Sequence, residues 1–199
     1  MAQPCNRADL REKPRRPLTA TLDFLGSRVV DIDRSTVAIT DDDLNDLYSG
    51  SISRLAEYFV HGAGEKWGAL YDVSHPIAAA LCQGAAMHYY DKTNGVKDFD
   101  VWFFYPFKKT HLPYRTIWNW DYKNPKFGHC AADTGYVGRR VDVLVRSIRE
   151  NANANPVEAI QHYLESGASS TAIALAKKAV VMLYPVSLRG TVIWYGQKI

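Results

Sequence analysis

The sequence contains few cysteines, little net charge and no long hydrophobic run. The three cysteines among 199 residues, Cys5, Cys82 and Cys130, form no CxxC or Cys-His spacing, so a cysteine-based metal motif is not expected and a reducing cytoplasm fits best. The formal net charge of +3 permits an anionic ligand but requires no nucleic-acid partner. No apolar segment suits a signal peptide or a bilayer span, so we expect no membrane partner.

The composition is that of a chain with a substantial core, since 47% of the residues are hydrophobic and 12% are aromatic. We expect one domain over residues 19–199, preceded by a disordered basic arm over residues 1–18. Five cations are interleaved with prolines in that arm: Arg7, Arg11, Lys13, Arg15 and Arg16. The arm either contacts RNA or a phosphate, or is a solvated terminus, which is the more common case.

Two carboxylates enter the most strand-like stretch of the chain. Aromatic and β-branched residues dominate residues 96–105, and Gly95 and Pro106 bound them. Asp98 and Asp100 are two residues apart, which places their side chains on one face of a strand. A divalent cation between them would relieve their mutual repulsion. The alternative is that both side chains lie at a solvated strand end and have no function.

A strand followed by small residues and a helix precedes this stretch. Residues 77–82 are apolar and predict a short strand, and residues 87–92 continue as a helix that ends near Gly95. Gly84 and Ala85 lie at the junction. Free backbone N–H groups at such a helix N-terminus suit a phosphate, although many strand-to-helix turns carry glycine without binding one.

A third acid lies in a later apolar strand. Residues 138–145 predict this strand, and Asp142 is set between Val141 and Val143. An acid in such a strand needs a partner. Arg140 shares a face with Asp142, so an ordinary ion pair is the alternative to a functional role.

The other elements are predicted from caps, breakers and periodicity. Thr40 begins a helix that Gly50 and Ser51 interrupt, and a helix follows over residues 53–61. Residues 106–135 mix basic and aromatic side chains, which either bind bases or cover a sheet, with residues 114–120 as one strand. The C-terminal part predicts a helix over residues 156–165, a second helix from Ser169 to Leu183, and a last strand over residues 191–195.

The order of these features resembles the nucleotidyltransferase superfamily of DNA polymerase beta, in particular its small minimal members. The resemblance covers about residues 77–145: the turn at Gly84 and Ala85, the Asp98–Asp100 pair and Asp142. It implies an α+β fold with a small mixed sheet flanked by helices, and a helical appendage over about residues 156–184. Ala85 departs from the family pattern, which has Ser or Gly at that position.

The resemblance implies a metal-dependent enzyme that transfers a nucleoside monophosphate from an NTP to an acceptor, which is a small molecule, a protein or an RNA. Asp98, Asp100 and Asp142 would hold Mg²⁺ or Mn²⁺ and act as the catalytic acids, and Gly84 and Ala85 would contact the phosphates. Toxin–antitoxin systems are one context in which this superfamily occurs. The alternative is a non-catalytic nucleotide- or RNA-binding module with the same fold.

Overall fold

The computed structural model describes residues 34–61, 64–109, 112, 116–128 and 137–196, without the side chains of residues 116 and 117. The predicted arm over residues 1–18 lies outside these residues, as do Cys5 and Cys130. No helix within the described ranges has the length and apolar character needed to cross a membrane.

The protein has an α+β fold, as predicted, with five helices and six strands in the described residues. The elements in chain order are α1 (Asp41–Val60), α2 (Glu65–Gly68), β1 (Ala78–Cys82), α3 (Gln83–Asp91), β2 (Phe99–Pro106), β3 (Thr116–Tyr122), β4 (Arg139–Ile148), α4 (Pro156–Glu165), α5 (Ser170–Ala176), β5 (Ala179–Tyr184) and β6 (Val192–Tyr195).

The six strands form one mixed sheet in the order β3-β4-β2-β1-β5-β6. The central strands β2 and β4 are parallel, whereas every other neighbouring pair is antiparallel. Because β1 runs opposite to β2, the carboxyl end of β1 lies beside the amino ends of β2 and β4. The helix α3, which begins directly after β1, therefore starts at the same edge of the sheet as β2 and β4.

Helices cover both faces of the sheet, so two hydrophobic clusters form the core. One face packs against α1 and α3 through residues such as Leu55, Ala85 and Phe103. The other face packs against α4 and α5 through residues such as Phe104 and Ile160. Alternate residues of β2 enter the two clusters, which explains why this strand is apolar on both faces.

The prediction of a helix from Ser169 to Leu183 is wrong beyond Ala176. Helix α5 ends there, and β5 forms a strand of the sheet, so the segment of about 156–184 is not wholly helical. All residues from Ala179 to Leu183 are fully buried, because β5 lies between β1 and β6 with helices on both faces. A stretch that is buried on every side has no polar face to mark its period, and its β-branched residues then favour a strand.

The predicted interruption at Gly50 is also wrong, because α1 continues through it without a break. A Cβ atom at Gly50 would lie 2.5 Å from the indole ring of Trp120, and the Trp120 Nε1 donates a hydrogen bond to the hydroxyl of Ser51 at 3.3 Å. This glycine therefore permits the close approach of β3 to α1 rather than ending the helix.

The remaining predicted elements are present with small changes in their bounds. The strands over residues 77–82 and 138–145 are confirmed as β1 and β4, and the helix over residues 156–165 is confirmed as α4. The strand predicted over residues 96–105 begins at Phe99 instead and includes Pro106. The strand predicted within residues 106–135 is β3, and it pairs with β4 at one side of the sheet.

Candidate functional site

The acids Asp100 and Asp142 are direct neighbours on the two central strands. Parallel pairing of β2 with β4 sets Asp100 opposite Asp142 in register. Adjacent strands are about 4.8 Å apart, and residues in register project to the same face. Asp100 shares its face with Trp102, and Asp142 shares its face with Leu144, so both acids lie on the side of the sheet that packs against α4 and α5.

Asp98 lies one residue before β2, at the same edge of the sheet, and is partly buried. The surroundings raise the pKa of Asp100 to about 7, because burial removes its carboxylate from water and because the charges of Asp98 and Asp142 repel it. The Lys178 ammonium, which follows α5, opposes this shift. The structure therefore brings Asp98 and Asp142 within electrostatic range of Asp100.

The side chain of Gln83 connects the start of α3 with the acids. Gln83 Nε2 donates a hydrogen bond to Asp100 Oδ1 at 3.2 Å. Its backbone φ is +61°, in the left-handed region that residues other than glycine seldom adopt. Such a conformation costs about 1–3 kcal/mol and is concentrated at functional sites. Gln83 thus turns the chain from β1 into α3 and directs an amide at the acid pair.

The helix α3 begins beside the acids, with its first turn free of a side-chain cap. Cys82 is the N-cap residue and provides no capping hydrogen bond. Among the described residues, a Cβ atom at Gly84 would meet only Arg34 Nη1, at 3.9 Å, so within this part of the chain the space over Gly84 is open and bordered by a guanidinium group. Ala85, in contrast, is buried in the core on the α1 side, so only its backbone N–H is suited to contact a phosphate.

Asp142 forms the ion pair that was the alternative to a functional role. Arg140 Nε donates a hydrogen bond to Asp142 Oδ1 at 2.9 Å, and the two side chains are 53% and 23% exposed. An ion pair exposed to this degree contributes little to stability. Arg140 partly neutralises Asp142 and also adds a cation beside the acids.

Cys82 lies in register with Asp100 on the neighbouring strand, but its thiol is chemically inert. Cys82 pairs with Asp100 in register and is fully buried. Burial, with a smaller effect of the Asp100 charge, raises the pKa of the Cys82 thiol well above its usual range. A protonated, buried thiol is neither a nucleophile nor a ligand for a hard cation.

The chemistry of the acid cluster fits a hard divalent cation, although its oxygens are not arranged as a closed cage. Three carboxylates provide the oxygen ligands that Mg²⁺ prefers, and Asp100 is partly buried next to two like charges that a cation would offset. In the described part of the chain, no three His, Cys, Asp or Glu side chains converge closely enough to form a metal-ligand group. Asp142 is directed toward Arg140 instead.

Sequence reasoning missed two residues of this site, Gln83 and Lys178. Gln83 reaches Asp100 because β1 and β2 are antiparallel, and that pairing is not visible in the sequence. The charge of Lys178 acts on Asp100 because α5 ends at Ala176 and the chain then returns to the sheet, where a longer helix was predicted. The signal available for Gln83 was its place between a strand and a helix, next to Gly84.

No protein-family model matches the chain, and no curated protein or solved structure is significantly similar to it.

Proposed function

We propose that the protein is a metal-dependent nucleotidyltransferase that moves a nucleoside monophosphate from an NTP to an acceptor. The observation that carries the proposal is the register of the two central strands, which sets Asp100 directly beside Asp142 at the edge where α3 begins. Two carboxylates at that edge and a helix N-terminus next to them are the two parts that a metal–triphosphate site requires.

The roles of the residues follow from their positions. Asp98, Asp100 and Asp142 would hold Mg²⁺ or Mn²⁺, which when bound supplies charge stabilisation for an in-line displacement at phosphorus. Gln83 orients the Asp100 carboxylate through its hydrogen bond. The first turn of α3 at Gly84 and the guanidinium of Arg34 offer N–H donors for the phosphates. The substrates are an NTP and an acceptor that is a small molecule, a protein or an RNA, and a cytoplasmic location is part of the proposal.

A second candidate is a non-catalytic nucleotide- or RNA-binding module with the same architecture. Two observations favour it: Asp142 is paired with Arg140, and the described residues hold no closed group of metal ligands. In such a module the acids would be structural, and binding of a nucleotide would depend on the N-terminus of α3 and on Arg34 rather than on a metal.

A transfer assay separates the two candidates. The full chain is incubated with Mg²⁺ or Mn²⁺, α-labelled NTPs and a set of acceptors that includes the protein itself, RNA and small hydroxyl compounds. We expect transfer of label by the wild-type protein and a loss of at least about a hundredfold in Asp100→Asn, because removal of a metal ligand removes several kcal/mol of transition-state stabilisation.

The matched control is Asp42→Asn, which removes an exposed aspartate from the first turn of α1 and should leave transfer unchanged. Nucleotide binding without transfer, equal in wild type and in Asp100→Asn, would instead establish the binding module. Absence of both binding and transfer would reject the nucleotidyltransferase proposal.

A further inference from the structure

A second site lies at the opposite end of β4 from the acids. A cavity of about 440 Å³ is formed by the end of β4, by α4 and by the loop that joins α4 to α5. Arg146 of β4 lines it, four residues beyond Asp142 and on the same face of the strand, which corresponds to a separation of about 13 Å along β4. The cavity is therefore separate from the acid cluster.

The lining of the cavity has an excess of positive charge. Arg146 and Arg149 both line it, and among the described lining residues Glu150 alone is acidic. Glu150 lies near a third basic group, because its Oε1 is 3.4 Å from His162 Nδ1. Two guanidinium groups against one carboxylate leave a net positive site, and guanidinium groups match the oxygens of a phosphate in geometry as well as charge.

One of the two guanidinium groups packs beside an aromatic side chain of the cavity. The Arg146 guanidinium carbon lies 5.9 Å from the centre of the Tyr163 ring, which itself packs edge-on against Phe104 of the core. The Tyr163 hydroxyl is within hydrogen-bond distance, 3.1 Å, of the Ser169 hydroxyl. Arg146 thus lies beside an aromatic ring of the cavity, while Tyr163, Ser169 and the exposed Arg149 line the same cavity.

We infer that this cavity binds a phosphate group, carried either by a free nucleotide or by the end of a nucleotide chain. The volume lies within the range of about 300–1,000 Å³ that is typical of small-molecule sites. The aromatic and apolar part of the wall is suited to the remainder of a nucleotide, and the two arginines are suited to its phosphate. This inference does not depend on the proposed transfer activity, because it uses none of the acid cluster.

The test is calorimetric titration of the full chain with inorganic pyrophosphate in EDTA, so that no metal-dependent binding contributes. We expect binding by the wild-type protein that Arg149→Gln and Arg146→Gln each weaken by roughly tenfold to a hundredfold, the effect of losing one charged hydrogen-bond donor. Arg149 is exposed, so its variant should fold even if the Arg146 variant does not.

Two controls assign the binding to the cavity. Arg54→Gln removes an exposed arginine of α1, which pairs with Glu57, and should leave pyrophosphate binding unchanged. Asp100→Asn should also leave it unchanged, so that failure of this site and failure of the proposed enzyme are distinguishable. Full pyrophosphate binding by Arg149→Gln would overturn the inference, as would loss of binding in Asp100→Asn or absence of binding by the wild type.

Two further kinds of ligand, used in the same titration, distinguish a free nucleotide from the end of a nucleotide chain as the source of the phosphate. Uridine monophosphate represents a free nucleotide, and a short oligouridylate with or without a 5′-phosphate represents a chain end. Arginine-dependent binding of the monophosphate supports the first source, and arginine-dependent binding of the 5′-phosphorylated oligouridylate alone supports the second. Oligouridylate binding whose affinity changes neither with the 5′-phosphate nor with the arginine substitutions would contradict the inferred site.

Discussion

Replacing Asp100 with asparagine is expected to stabilise the metal-free protein by up to about 4 kcal/mol near pH 8. The pKa of Asp100 is raised from 3.8 to about 7 by burial and by Asp98 and Asp142, so folding costs free energy wherever the carboxylate is charged. Urea unfolding in EDTA measures the difference between wild type and variant.

The pH dependence of this difference has a defined sign. Between about pH 4 and pH 7 the folded state binds more protons at Asp100 than the unfolded state does. The free energy of unfolding of the wild-type protein therefore falls as pH rises through that window. The advantage of Asp100→Asn should therefore grow from near zero below about pH 4 to its full value above about pH 7. A variant that is less stable than wild type at about pH 8 would show that the Asp100 carboxylate is not held against like charges.

Replacing Asp43 with alanine is expected to destabilise the protein by about 3–5 kcal/mol. Asp43 is buried at the start of α1 and joins this helix to the region of β3. Its carboxylate accepts hydrogen bonds from Thr40, from the Tyr122 hydroxyl at 3.0 Å and from Asn124 Nδ2 at 3.3 Å, and it forms an ion pair with Lys126. Truncation leaves this set of donors without their acceptor.

The pH dependence of the Asp43 substitution is opposite to that of Asp100→Asn. Burial raises the pKa of Asp43, but the hydrogen bonds from Lys126, Thr40 and Tyr122 together lower it below 3.8. The stabilisation is thus complete above that value and is lost as pH falls through the lowered pKa. Urea unfolding at neutral pH measures the effect, with Asp42→Ala as the exposed control, expected within about 0.5 kcal/mol of wild type. If Asp43→Ala lowers the free energy of unfolding by less than about 1 kcal/mol, the hydrogen bonds and the ion pair of Asp43 do not stabilise the protein as described.

The central part of the fold was predictable because its elements have distinct residue patterns. The β2 segment combines aromatic residues with Val101, and β4 alternates valines with polar residues, so both are identified as strands by composition. The capping residue Thr40 and the proline at the start of α4 mark two helices. The β5 strand was not predictable, since its neighbours bury it on all sides and remove the periodic signal.

The candidate site was predictable only in its residue types. The spacing of Asp98 and Asp100 places two acids near one strand end, but the position of Asp142 depends on which strand pairs with β2 and in what register. That information is carried by tertiary contacts rather than by local sequence. The same holds for Gln83, whose contact with Asp100 spans two strands, and for the cavity beside Arg146, whose walls come from distant parts of the chain.

The most direct test of the acid cluster as a metal site is calorimetric titration of Mn²⁺ or Mg²⁺ into the full chain near pH 8, with and without a non-hydrolysable NTP. The account predicts saturable metal binding that the nucleotide strengthens, that Asp100→Asn abolishes and that Asp42→Asn leaves unchanged. Absence of metal binding by the wild-type protein, or equal binding by wild type and Asp100→Asn, would contradict the account, because either result would show that Asp100 does not hold a metal ion.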